Sequence, residues 1–200
     1  MKFAYTCSLG PFCHSTNLLK QNNIKMCSYP FDWIFSNYNN VIHCIKDDFK
    51  IFLDKSYYQS ITDKRCSHSY YGKDMFRHHN PLMHDNDYKY YVRCVERFKD
   101  LLIHKEQKLF ITIHVNNDAI DDSIIDTMVD FNNKFGIYTN NYILLVILHL
   151  KNKQKNYHKF TIKGNIHFLE LHTISVSDGL TFMNYSDNVY LDNIIKTTYA

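Results

Sequence analysis

The stretch SLGPFCHSTNLL ends a short apolar run in Gly10-Pro11 and puts Cys13 where a helical pattern begins. A thiol in the first turn of a helix faces N–H groups without partners and the positive end of the helix dipole, both of which favour the thiolate. Proline favours the first helical position, so Pro11 is expected there and Cys13 within the first turn. The chemistry such a group offers is nucleophilic attack on a carbonyl, with amides from Gly10 to His14 facing the oxyanion. The plainer alternative is a small buried apolar residue, which describes most free cysteines. Ser8 is a rival nucleophile, similar in placement to the serine that some esterases carry just after the first strand.

A thiol nucleophile needs a base, and the chain has 12 histidines. The densest group is FRHHNPLMHD, with His78, His79 and His84. Adjacent residues of an extended segment point to opposite sides, so one of His78 and His79 can face a given site. A solvated surface loop is the alternative. His149 and His172, at the ends of expected strands, are reserve candidates. Cys7 and Cys13, or His79 and His84, lack the ligand spacing of structural zinc, so no metal is expected. Glycine-rich phosphate loops and the G-x-S-x-G elbow are absent as well, and no cofactor is expected.

Four strands are expected to position these groups, at Phe3–Leu9, Leu109–Val115, Tyr142–Leu150 and Ile166–Leu171. Three are continuous apolar runs, the pattern of parallel strands covered on both faces. Helical spacing appears over Thr16–Gln21, Asn39–Leu53 and Asp87–Leu102. A further helix is capped by Asp118 or Asp121 and closed by a left-handed Gly136, and a last one is capped by Ser186. The alternation predicts one α/β domain over residues 1–200: a mostly parallel central sheet flanked by helices, a Rossmann-like three-layer arrangement. Ser56–Asn86, polar and rich in Tyr and His, is expected as an inserted loop or hairpin.

Composition narrows the function classes. A net charge of +3 with interspersed signs gives no nucleic-acid footprint. The nine-residue run Tyr142–Leu150 is far short of the roughly 20 residues that cross a membrane. Ser8, Gly10 and Pro11 interrupt any secretory apolar segment, so the six cysteines are expected as reduced thiols in the cytoplasm.

The order SLGPFC, YPFDWIFSN (Tyr29–Asn37), MFRHHN (Met75–Asn80), YYVRCVERFKDLL (Tyr90–Leu102), KLFITI and a closing SDGLTF resembles the papain-like cysteine peptidase family that is also described as a domain of unknown function in bacteria and giant viruses. The resemblance runs over nearly the whole chain. It implies Cys13 as nucleophile and His78, of the F-x-H element, as base, with His79 beside it. Asp32 and Trp33 of PFDW and Asp178 of SDG match motif positions, and either carboxylate could orient the histidine. Trp33, His84, Ser8, Gly10 and His14 are the expected substrate-contacting positions. A turn or capping role serves Asp32 and Asp178 equally well. For a viral chain the compartment would be the host cytoplasm. The expected activity is thiol hydrolysis of a peptide or small-molecule substrate, with a nucleotide- or sugar-binding module or a glycan-handling enzyme as the other readings.

Overall fold

The structure is a computed structural model and describes residues 3–199. Strands β1 (Tyr5–Ser8), β5 (Lys108–Asn117), β6 (Tyr142–Leu150) and β8 (Ile166–His172) pair in parallel in that order, and β7 (Tyr157–Lys163) adds antiparallel to β8 at the edge. The mainly parallel sheet flanked by helices is therefore as expected. The parallel strands stand in chain order, without the reversal that opens the crevice of dinucleotide-binding sheets, so the topology is not the Rossmann order.

Pleating divides the apolar runs between two cores. Leu109, Ile111, Ile113, Ile143, Leu145 and Ile147 pack with α1 (Cys13–Gln21) and α6 (Tyr185–Tyr199). Phe110, Leu144, Val146 and Phe168 face the opposite layer, which holds α4 (Asp85–Ile103) and α5 (Asp122–Phe135). Each face is dry, which is why these strands read as unbroken hydrophobic runs.

Several local readings change. The helix expected over Asn39–Leu53 is two pieces, α2 (Tyr38–Lys46) and α3 (Lys50–Leu53), because Asp48 and Phe49 take left-handed backbone at φ 57° and 59°. That strained corner drives the Phe49 and Phe52 rings into an aromatic cluster with Phe31 and Phe98. Gly136 ends α5 in right-handed rather than left-handed geometry. At α6 the capping side chain is Asn184, which accepts from the Ser186 amide and hydroxyl. Of the two alternatives for Ser56–Asn86, loop or hairpin, the structure takes the hairpin. The segment builds a second antiparallel sheet, β2 (Tyr58–Thr62), β3 (Arg65–His68) and β4 (Gly72–Phe76). Strand β7 went unread because its outward face is polar and exposed.

Candidate active site

Helix α1 starts at Cys13 itself, with Phe12 as an extended N-cap that supplies no capping side chain. Pro11 lies outside the helix, contrary to expectation, and Cys13 is its first residue. The apolar cap matters because the first amides of α1 are left without the side-chain acceptor that Asn37 gives α2 and Asp121 gives α5.

The turn before Cys13 is held from both sides. Gly10 takes φ +78°, and a Cβ there would stand 2.6 Å from Ser36 Oγ, so only glycine fits. Its carbonyl accepts from Thr112 Oγ1 at 2.8 Å on β5, and Thr112 in turn meets Tyr38 Oη at 2.9 Å, which also contacts His114 Nε2. Because the Thr112 hydroxyl donates to Gly10, Tyr38 donates to Thr112, and the His114 Nε2–H donates to Tyr38. Burial holds His114 neutral by pushing its pKa down to about 4. Ser8 closes the other side. Ser15 Oγ donates to the Phe12 carbonyl, Ser8 Oγ donates to Ser15 at 2.7 Å, and the Gly10 amide donates to Ser8. Ser8 is fully buried and committed to the turn, so it is not a rival nucleophile.

His78 arrives from the second sheet. Strand β4 ends at Phe76, fully buried against Phe52, Tyr58 and Tyr91, and the chain then turns out to the surface at Arg77 and His78. Asn80 anchors the far side of the bend: fully buried, it donates to Ser60 Oγ and the Thr62 carbonyl, and its amide donates to Asp87. His78 Nε2 stands 3.8 Å from Cys13 Sγ, within hydrogen-bond reach of sulfur. Trp33, with left-handed backbone at φ 48°, meets the His78 ring edge to face at 6.4 Å. His79 turns the other way, stacking on Tyr90 at 4.8 Å with Nδ1 3.3 Å from Tyr91 Oη, and its burial lowers its pKa.

Cys13 and His78 open onto a cleft of about 420 Å³ at the carboxyl ends of β1 and β5. Phe12, Phe35, Val115 and Leu180 make its apolar lining, and Arg77, Asn116 and Asp178 its polar one. The thiol is not a preformed anion. Burial pushes the Cys13 thiol up, and Arg77 and the Cys13 amide pull it back only in part. Desolvation outweighs the helix end, against the expectation of a stabilised thiolate.

Other expected site residues lie elsewhere or do other work. Asp32 is buried in an ion pair with Lys25 and accepts from Thr16 Oγ1 at 3.2 Å and the Tyr29 amide at 3.1 Å, which ties α1 to the PFDW turn. Burial raises its pKa while Lys25 lowers it. Asp178 lines the cleft, but its Oδ1 accepts the Leu180 and Thr181 amides, and the Thr181 bond chiefly holds it below the usual carboxylate range. Among the described residues neither carboxylate hydrogen-bonds to His78. His14 is buried, with Nδ1 2.9 Å from Ser177 Oγ, and burial pushes its pKa down to about 4, so its side chain braces the cleft wall instead of meeting substrate. His84 pairs with Asp63 and does not line the cleft. His149 is buried behind Asn116, and His172 pairs with Glu170. No group of three or more potential metal ligands occurs among the described residues.

Beside its apolar lining, the cleft has Arg77, Asn116 and Ser177 as polar residues that the sequence reading missed. Arg77 sits beside a histidine already singled out. Asn116 has left-handed backbone at φ 65°, a conformation that asparagine tolerates, and grips Ser177 through both its amide and carbonyl groups.

The sequence model of a family described as putative papain-like cysteine peptidase matches residues 4–152. The chain belongs to this family. The matched span holds Cys13, Asp32, Trp33 and His78 and stops before the loop with Asp178, so the family resemblance is shorter than the nearly complete match expected. No curated protein and no solved structure matches the chain.

Proposed function

We propose that this member of the family is a thiol hydrolase in which Cys13 is the nucleophile and His78 its base. The observation that carries the reading is the 3.8 Å approach of Cys13 Sγ to His78 Nε2 at the wall of an open cleft. Because the resting pair holds a neutral thiol, proton transfer accompanies attack: Sγ bonds to the substrate carbonyl carbon while its proton passes to His78 Nε2. The uncapped amides at the start of α1 face the developing oxyanion. The imidazolium then gives its proton to the leaving nitrogen or oxygen, and water, deprotonated by the same imidazole, cleaves the thioester; the departing Cys13 sulfur takes that proton back from His78 and the neutral pair is restored. Trp33 takes the orienting part expected of a carboxylate, by ring contact rather than by hydrogen bond. The bond cleaved is a peptide, isopeptide or ester. Six free thiols suit a reducing compartment, and we place the protein in the cytoplasm.

The test is a panel of electrophilic acyl probes on peptide, ubiquitin-like and simple ester scaffolds. Wild type forms an adduct at Cys13 with at least one, and Cys13→Ala forms none. Absence of any adduct, with a nucleotide or sugar protecting the cleft from proteolysis instead, would establish a binding module.

A further inference from the structure

We propose that Arg77 is the recognition residue of the cleft and that the substrate carries an anionic group, a carboxylate close to the scissile carbonyl, which pairs with it. The proposal rests on the reading of Cys13 as nucleophile and names the substrate class for that site: an acidic peptide segment, or one ending in its own carboxylate beside the cleaved bond. Arg77 directly precedes His78 and lines the cleft with Cys13. Its guanidinium lies over the Phe35 ring with the central carbon 5.2 Å from the centroid, so an aromatic surface positions it without using its donors. Among the described residues no acceptor hydrogen-bonds to it and no carboxylate lies within ion-pair distance, which leaves a planar fork of N–H groups that matches a carboxylate in geometry.

The rest of the lining agrees with one anion rather than several. Asp178 is ionised at neutral pH, because backbone amides hold its carboxyl low, and it repels a second negative group while accepting a substrate N–H or ammonium. Phe12, Phe35 and Leu180 accommodate the uncharged remainder. A cation beside the sulfur and an anion from the 177–180 loop thus give the cleft a polarity that a neutral substrate would leave unused.

The test uses two alkylating reagents of nearly equal size, anionic iodoacetate and neutral iodoacetamide. Both consume the same Cys13 thiolate, so the ratio of their rates cancels any change in thiol pKa. In wild type the ratio at Cys13 is expected to exceed that of free cysteine by about fivefold, the scale of a solvent-exposed charge pair. Arg77→Gln returns it to the free-cysteine value, Arg77→Lys keeps part of the preference, and Asp178→Asn raises it. A ratio that Arg77→Gln leaves unmoved, at a Cys13 that reacts readily with both reagents, overturns the recognition role and leaves the nucleophile standing. A Cys13 inert to both at pH 8 overturns the two together.

Discussion

A sulfur and an imidazole nitrogen 3.8 Å apart are the smallest unit of the account, and their surroundings set how they behave. Burial raises the Cys13 thiol, so alkylation of Cys13 should climb on the alkaline side of neutrality without a plateau near pH 6; a plateau there in the alkylation rate would show a preformed ion pair and contradict the neutral resting state. Gly10 is the residue on which the turn depends. Gly10→Ala combines left-handed strain of roughly 1–2 kcal/mol with the Ser36 Oγ contact at 2.6 Å, and should lower the unfolding free energy from urea denaturation by at least that strain, with a matching fall in the midpoint. Adding Ser36→Ala should recover the part due to the clash alone; an unchanged midpoint in Gly10→Ala would mean the turn is laxer than described. Much of this scale was legible in the sequence. Cys13 and His78 were both singled out, from a turn signal and a motif. What stayed hidden was each partner's partner: Asp32 and Asp178 looked like orienting acids, yet a carboxylate is drawn to the nearest unpaired amide or ammonium, and those are set by the folded chain.

Elements, rather than single side chains, bring the pair together, because α1 delivers the thiol from one sheet and β4 delivers the imidazole from another. Thr112 couples the nucleophile turn to β5, and the chain His114–Tyr38–Thr112–Gly10 joins α2, β5 and the turn. Thr112→Val leaves the Gly10 carbonyl without its side-chain donor and the Tyr38 O–H without its acceptor and should cost about 1–3 kcal/mol of unfolding free energy, whereas Thr112→Ser should cost much less; equal losses would show that the methyl group and not the hydroxyl matters. The parallel strands were read correctly since both of their faces are buried. The second sheet was legible only as an inserted loop or hairpin because its strands are short and β2 is largely solvated, with Tyr58 alone buried in it. Hydrophobic periodicity cannot reveal a strand that buries so little.

Over the whole molecule, three histidines, His14, His114 and His149, are held neutral by burial with pKa values pushed down to about 4. Their folded-state values lie below the unfolded value, so the stability they allow is complete above about pH 6.5 and is lost as pH falls toward 4, where the unfolded chain takes up protons that the folded chain refuses. Thermal unfolding at pH 7 and at pH 4.5 should therefore differ by several kcal/mol in stability, and a midpoint flat across that range would show these rings to be solvated. All three sit at the carboxyl end of the sheet or on the walls of the cleft, so acid should loosen the site before the distant core. The α/β class was legible from continuous apolar runs, while the strand order was not, since it depends on which edges meet after the chain has crossed the sheet. The measurement that bears most directly on the central claim is the rate of iodoacetamide alkylation at Cys13, located by mass spectrometry at neutral pH, in wild type, His78→Gln and His79→Gln. Because His78 takes the Cys13 proton as the sulfur attacks, loss of His78 should slow it by about tenfold or more while loss of His79 leaves it nearly unchanged; equal rates in wild type and His78→Gln would show that removal of the thiol proton owes nothing to the imidazole beside it.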